Sequence, residues 1–162
     1  MVYLRIFICF LYSMLYKIPF EIIPIDRRDY HLFLDIFIHN KSCRLLIDTG
    51  ASKTVFDTER ILRFINEKNL NTIESKTVGL GVSNMETKIA ILKRIHIGKL
   101  MMKTWSVAVL PIGHVNELYQ TLEITPIDGV LGSDFLMKHN AIINFRTKTL
   151  TLSKKVIKKT IA

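Results

Sequence analysis

The sequence predicts a single domain with a mainly β fold. From Phe20 onward, the sequence contains short runs rich in apolar and β-branched or aromatic residues, as in HLFLDIFI at 31–38, which is typical of β-strands. Glycine, asparagine and serine separate these runs, as expected of turns. With 162 residues, 49% of them hydrophobic, the chain is long enough for one core and too short for two comfortable domains.

The first half predicts a hairpin, a short strand and a helix. Two strands, at 32–38 and 43–47, are joined by a polar turn. The stretch KTVF at 53–56 predicts another short strand. Residues 57–69 predict a helix, with Asp57 as its N-cap and apolar residues along one side.

The second half predicts a longer β region at 72–112, with turns at 79–84 and at Gly98-Lys99. It is followed by a short helix at 114–122 and an aliphatic strand at 127–132. A second short helix at 133–138 and a closing hairpin turn at 146–148 complete the chain order. The two halves share an order of parts with little residue identity, which is weak support for an internally duplicated β fold.

Composition does not point to a nucleic-acid, disulfide or zinc protein. The formal net charge is +9, but the surplus is spread along the chain except in the tail at 154–159, and no basic helix with interleaved aromatic residues accompanies it. We therefore expect a solvated tail and no specific nucleic-acid partner. Cys9 and Cys43 lie far apart, and the five histidines never fall at i, i+4 spacing, so no disulfide framework or helical zinc site is predicted.

Residues 1–20 are a separate hydrophobic segment. Arg5 precedes an uncharged run at 6–16, which has the length of a signal-peptide core and is shorter than the ~20 residues of a spanning helix. Three interpretations are open: an uncleaved membrane-associating segment, a signal peptide that lacks a small-residue cleavage site, or a true start at Met14. The predicted organisation is this segment, one domain and a basic tail, at 1–20, 21–153 and 154–162. The compartment, cytoplasmic or membrane-associated or exported, depends on the first segment.

The stretch LLIDTGAS at 45–52 is the strongest functional signal. It places the carboxylate of Asp48 at the end of an aliphatic strand and follows it with small residues. One explanation is a strand end whose aspartate stabilises a turn, because Asp and Gly are common turn residues. The other is a catalytic carboxylate on a tight loop, where Gly50 permits a close backbone approach that a side chain would block.

In this order of elements, the motif resembles that of the retropepsin-like aspartic proteases, which include single-domain bacterial members. The resemblance rests on hydrophobic-hydrophobic-Asp-Thr-Gly-Ala-Ser at 46–52, on Gly-Val-Leu-Gly at 129–132 and on a glycine-bearing hairpin at 78–84. It covers 22–152. It implies a closed β-barrel, the acid protease fold, with a flap hairpin and one to three short helices.

The resemblance also implies roles for residues. Asp48 would be the catalytic carboxylate, which activates a water while a neighbouring carboxylic acid polarises the scissile carbonyl. Thr49, Gly50, Ala51 and Ser52 would form a loop that supports it. Val130, Leu131 and Gly132 would form a strand that braces this loop. Gly79, Leu80 and Gly81 would form a flap that closes over the substrate. The alternatives are a local turn bond for the serine, a plain core strand for 130–132 and an ordinary hairpin for 79–81.

The chain has a single Asp-Thr-Gly, and one aspartate cannot form a catalytic pair. Asp128 is not followed by Thr-Gly, and Asp134 falls at a helix start, where the helix dipole explains a carboxylate. The resemblance therefore implies a homodimer in which Asp48 from each subunit meets on a two-fold axis.

The leading hypothesis is thus an aspartic endopeptidase that needs no metal or organic cofactor and cleaves extended polypeptides with apolar side chains. The alternative is a non-catalytic peptide-binding or dimerisation module on the same fold. The intact Asp-Thr-Gly favours the enzyme, because a binding module has no physical need for it. A third interpretation is a membrane-attached adaptor that uses residues 1–20.

Overall fold

Strands dominate the computed structural model, which describes residues 7–66, 70–72 and 88–161. In chain order the elements are β1 (Phe7–Pro19), β2 (Glu21–Pro24), β3 (Tyr30–Ile38), β4 (Lys41–Ile47), β5 (Val55–Asp57), β6 (Leu70–Thr72), β7 (Lys88–Ile97), β8 (Leu100–Leu110), α1 (Gly113–Thr121), β9 (Gly129–Leu131), α2 (Ser133–Lys138), β10 (Ile142–Asn144) and β11 (Thr149–Ile161).

Six of these strands close into a barrel in the order β3-β4-β9-β5-β8-β7. The barrel closes because β7 returns to β3, where Phe37 pairs with His96 and Ile38 with Ile95. The pairs β4–β9 and β5–β8 are parallel, and the other neighbours are antiparallel. The prediction of a mainly β, closed barrel with short helices is confirmed.

The hairpin that leads into the Asp48 loop is formed by β3 and β4. Its two turn residues, His39 and Asn40, have φ of +51° and +64°. Positive φ at both central residues is the requirement of a two-residue hairpin turn that matches the twist of the strands. The predicted hairpin is confirmed, with strands slightly longer than expected.

The predicted helix at 57–69 is wrong over the part that the structure describes. Only a four-residue 3₁₀ turn forms, at Arg60–Arg63. Asp57 ends β5 and is not the N-cap, which is Glu59, but its Oδ1 accepts hydrogen bonds from the backbone N–H of Glu59 and Arg60, each at 3.0 Å. A 3₁₀ helix repeats every three residues, which aligns Arg60 and Arg63 on one side, and both guanidinium groups bind the same carboxylate of Asp128.

The later elements largely follow the sequence predictions. The β7–β8 hairpin turns at Gly98, whose φ of +55° suits glycine, and the two α-helices lie at the predicted positions within one residue. The predicted turn at 79–84, with the flap residues Gly79, Leu80 and Gly81, lies outside the described residues.

A second sheet is formed by β1, β11 and β10. β1 and β11 pair antiparallel along their whole length, from Phe7 with Ile161 to Pro19 with Thr149. At the barrel end of this ribbon, Ile18 and Leu150 are buried in the main core. The ribbon thus includes residues of both the predicted segment 1–20 and the predicted tail 154–162, and that division of the chain stays a prediction. Among the residues that the structure describes, none of the helices has the length and apolar character needed to cross a membrane.

The barrel wall has two apolar sides, which follow from strand alternation. Leu34 and Ile36 of β3 and Leu45 of β4 point inward, into a core that also contains Phe56 and Trp105. The outer face of the same two strands is covered by α1, in a smaller cluster formed by Phe33, Tyr119, Ile124 and Ile127. The Asp48 loop leaves the barrel at the edge of this outer cluster.

Candidate active site

Asp48 is the first residue after β4, and its side chain is partly buried. Its backbone N–H donates to the carbonyl of Leu131 at 3.1 Å, which ties the residue to β9. Its Oδ1 accepts a hydrogen bond from the backbone N–H of Gly50 at 2.8 Å. Among the described residues, no Lys, Arg or His forms an ion pair with this carboxylate.

Gly50 fits the loop because its backbone comes close to the carboxylate of Asp48. A Cβ at this position would lie 3.2 Å from Oδ1 of Asp48, a tight contact that would push the carboxylate or the loop aside. The small residue therefore lets the amide approach its acceptor. The sequence-based reason for a glycine here agrees with this geometry.

The rest of the loop is held from behind, while its side chains point outward. The carbonyl of Ala51 accepts a hydrogen bond from the N–H of Ser133 at 2.7 Å. Thr49 and Ser52 are exposed, and within the described part of this single chain their side chains have no hydrogen-bond partner. The backbone is thus fixed, and two hydroxyl groups face outward.

The strand β9 threads between β4 and β5 behind the loop. Val130 pairs with Leu46 and Leu131 with Ile47, so Val130, Leu131 and Gly132 lie directly beside Asp48. A Cβ on Gly132 would lie 2.5 Å from the carbonyl carbon and oxygen of Lys53. Only a residue without a side chain allows this approach of two backbones.

Thr54 and Asp134 form a link that the sequence did not reveal. The hydroxyl of the fully buried Thr54 accepts a hydrogen bond from the N–H of Gly132 at 3.1 Å and donates to Oδ1 of Asp134 at 2.8 Å. The same oxygen accepts the backbone N–H groups of Thr54 and Phe135, at 2.9 and 2.8 Å. Asp134 therefore joins the far end of the Asp48 loop to α2, whereas the sequence suggested only a helix-dipole role. No local pattern marks this contact, because the two residues are 80 positions apart.

Asp128 is excluded as a partner for Asp48 by its surroundings. It is 1% exposed, and its Oδ1 binds Arg60 Nε at 2.8 Å and Arg63 Nη1 at 2.6 Å. Its Oδ2 accepts the backbone N–H of Arg44 at 2.9 Å. Both oxygens are thus committed to structural contacts, in agreement with the sequence-based rejection of this residue.

A tyrosine and a histidine on the outer face of the barrel form a pair that the sequence analysis did not single out. The hydroxyl of Tyr119, on α1, lies 2.7 Å from Nδ1 of His31, on β3. Burial raises the pKa of Tyr119 to about 12, and the negative charge of Asp48 adds to the effect. The phenol therefore lies within the electrostatic range of Asp48.

The described residues contain no group of three or more His, Cys, Asp or Glu side chains arranged to hold a metal ion. What the loop offers to a reaction is a carboxylate on a fixed backbone.

Comparisons with known proteins agree with this geometry. The family model described as aspartyl protease matches residues 34–135, which contain the Asp48 loop, β9 and the start of α2. Among curated proteins, none matches the sequence. A retropepsin-like aspartic protease from Rickettsia conorii superposes with a TM-score of 0.54 at 18% identity, over 90% of this chain and 95% of that one. The retroviral protease-like domain of Ddi1 from Leishmania major superposes with a TM-score of 0.53 at 14% identity, over 78% of this chain and 94% of that one.

The family match spans more than half of the chain, and the solved structures share its closed barrel. The protein belongs to the aspartyl protease family and has the retropepsin-like fold.

Proposed function

We propose that the protein is an aspartic endopeptidase that acts as a homodimer, with Asp48 of each subunit forming the catalytic pair. The observation that carries the proposal is the state of Asp48. It is a partly exposed carboxylate on a backbone anchored to β9, with one hydrogen bond from its own loop. A carboxylate that lacks a cation can share a proton with a second carboxylate, and peptide hydrolysis by this route requires such sharing.

The second carboxylate has to come from another subunit. The two aspartates that flank β9, Asp128 and Asp134, are occupied by arginines and by backbone and threonine donors. Asp48 stands at the end of its strand with Thr49 and Ser52 exposed beside it, and a two-fold axis through this loop would bring two copies of the carboxylate together.

In the proposed reaction, the ionised Asp48 of one subunit takes a proton from a bound water as the water attacks the scissile carbonyl. The protonated Asp48 of the other subunit donates its proton to the carbonyl oxygen, which gives a neutral tetrahedral diol. Collapse of the diol breaks the C–N bond, the first carboxyl group protonates the leaving amine, and the second recovers a proton from a hydroxyl. Proton and charge balance is kept without a metal or an organic cofactor.

The substrate is an extended polypeptide. The flap role of Gly79, Leu80 and Gly81, which lie outside the described residues, belongs to the same proposal.

The test is to measure the assembly and the active-site stoichiometry of the full chain on the same sample. Equilibrium sedimentation gives the assembly, and titration with a statine-containing peptide, which mimics the tetrahedral intermediate, gives the number of sites. We expect a dimer that binds one inhibitor per two chains and loses binding in Asp48→Asn. A monomer that does not bind the inhibitor would contradict the proposal and favour the non-catalytic binding module.

A further inference from the structure

His31 lies on β3, which pairs with β4 up to two residues before Asp48. In the β3–β4 ladder, Phe33 pairs with Leu46. Extending that register by two residues places His31 opposite Asp48. Because alternate residues of a strand share a face, both side chains belong to the outer face, the one that α1 covers. A peptide bound over Asp48 would lie on the face that carries this histidine.

The imidazole of His31 is held in place by aromatic neighbours. Its ring centroid lies 5.8 Å from that of Tyr119 and 6.3 Å from that of Phe33, and the latter two rings are 5.5 Å apart at an angle of 72°. This edge-to-face packing is a favourable arrangement for aromatic rings. The histidine is thus the partly exposed end of an otherwise buried aromatic cluster.

Tyr119 is itself anchored through α1. The side-chain amide of Asn116 makes two hydrogen bonds to the backbone of Ile127, at 2.8 and 3.0 Å. At the start of the helix, the N–H of Ile112 donates to Oδ2 of Asp57 at 3.1 Å. The helix is therefore fixed to the segment that leads into β9 and to the end of β5.

The proton positions of the His31–Tyr119 pair follow from burial. Burial keeps the pKa of Tyr119 at about 12, so the phenol retains its proton at neutral pH. Among the described residues, the only acceptor within hydrogen-bond distance of that O–H is Nδ1 of His31. If the tyrosine accepted instead, its buried O–H would lack a partner, which is costly. We therefore assign the tyrosine as the donor to Nδ1, which leaves the N–H of the imidazole on Nε2.

Around His31, the apolar space on this face is already occupied. Phe33, Tyr119 and Ile127 are at most 1% exposed and fill the region under α1. In the described part of the chain, Nε2 of His31 has no hydrogen-bond partner. The edge left open to a bound peptide therefore presents a polar N–H group.

We propose that His31, oriented by Tyr119, is a specificity-determining residue that donates a hydrogen bond from Nε2 to an acceptor oxygen in a substrate side chain, so that Glu or Gln is preferred there over an aliphatic residue. The inference rests on the proposed protease function. It assigns to one substrate position a chemistry that differs from the apolar preference expected along the rest of the peptide.

The experiment profiles cleavage of a proteome-derived peptide library by mass spectrometry, using the full chain. The wild type is compared with His31→Leu, which removes the donor, and with His31→Gln, whose amide N–H lies near the position of Nε2. Tyr119→Phe keeps the ring and removes the orienting hydroxyl, and Tyr30→Phe, at an exposed neighbouring position, is the matched control. Thermal melts establish that each variant is folded.

We expect Glu and Gln to be enriched at one position near the cleaved bond. For a peptide pair that differs only by Gln and Leu at that position, the ratio of kcat/KM values should fall by roughly fivefold to tenfold in His31→Leu, as the loss of one hydrogen bond implies. His31→Gln should restore most of the ratio, Tyr119→Phe should lower it, and Tyr30→Phe should leave it unchanged. Identical cleavage profiles for the wild type and His31→Leu would overturn the inference.

A binding measurement separates this inference from the proposed function. The library is passed over immobilised Asp48→Asn protein, with and without His31→Leu, and retained peptides are identified. If the wild type cleaves nothing, or if cleavage survives in Asp48→Asn, the protease proposal fails. Enrichment of Glu- and Gln-containing peptides that depends on His31 would still support the recognition role, and its absence would refute it.

Discussion

Two aspartates at opposite ends of the parallel β4–β9 pair have opposite surroundings. Asp48, after the carboxyl end of β4, is partly exposed and accepts one hydrogen bond from its own loop. Asp128, before β9, is buried and is bound by Arg60, Arg63 and the backbone of Arg44.

The difference shows how one type of side chain serves two purposes within a few strands. A buried carboxylate has lost its hydration, and at Asp128 two guanidinium groups and a backbone N–H replace it. A carboxylate that must exchange a proton cannot be held in this way. Within the described part of the chain, two arginines bind Asp128 and no cation forms an ion pair with Asp48.

Substitution of Asp48 should produce the largest change in activity and little change in stability. We expect Asp48→Asn to lower peptidase activity by about 10³-fold or more, because neither acid nor base catalysis is then available. The free energy of unfolding should stay within about 0.5 kcal/mol, since the amide oxygen can still accept the N–H of Gly50. Hydrolysis assays and urea denaturation measure the two quantities, with the exposed Asp29→Asn as the control. Activity retained in Asp48→Asn would contradict the catalytic role of Asp48, and with it the contrast drawn between Asp48 and Asp128.

Asp128 should behave in the opposite way. Asp128→Ala leaves two arginines without their carboxylate and is expected to lower the free energy of unfolding by about 3–5 kcal/mol. The control is Asp35→Ala, which breaks an ion pair to Arg44 whose carboxylate side is 51% exposed and should cost less than about 1 kcal/mol. Urea denaturation of both variants gives the values. Equal losses would mean that burial does not distinguish the two ion pairs.

The glycines test whether the backbone behind Asp48 has to be this close. In Gly132→Ala, the new methyl group would lie 2.5 Å from the backbone of Lys53, and we expect a loss of about 1–3 kcal/mol with a parallel loss of activity. Gly113, at the start of α1, has open space around it, so Gly113→Ala should be neutral or slightly stabilising. Thermal melts and hydrolysis rates compare the pair. A stable, active Gly132→Ala protein would show that the loop tolerates displacement.

The smallest effect is a change in the titration of Tyr119. Its folded-state pKa of about 12 lies above the ordinary value of 10.0, because of burial first and the charge of Asp48 second. The raised pKa favours the folded state below pH 10, and this contribution is lost as the pH rises towards 12. Ultraviolet absorbance of the phenolate should show one tyrosine that titrates late, and at lower pH in Asp48→Asn than in the wild type. Superimposable titration curves would show that the charge of Asp48 does not affect the pKa of Tyr119.

Sequence patterns predicted the elements that are determined by residues close together in the sequence. The turn at His39 and Asn40 and the helix α2 follow from nearby residues, and both lie where the sequence placed them. The helix predicted at 57–69 failed because the contact of Arg60 and Arg63 with Asp128, more than sixty residues later, favours a 3₁₀ turn instead.

The candidate site divides in the same way. The Asp48 motif is contiguous, and the resemblance recognised it from a few residues, although its catalytic role stays a prediction. The contacts of Thr54 with Asp134 and of His31 with Tyr119 span 80 and 88 positions, so periodicity and turn chemistry contain no signal for them. Long-range side-chain pairs of this kind require the fold to be known first.

The ribbon of β1 and β11 has a consequence for how the chain is made. β1 precedes every barrel strand, and its partner β11 follows all of them. During translation, the apolar residues of β1 therefore have no strand partner until the whole barrel has left the ribosome. Pairing of two strands so far apart in the sequence is slow. A polypeptide that stops before β11 keeps an unpaired strand that can join other chains. Pairing with β11 thus closes an edge of β1 that would otherwise be open to other chains.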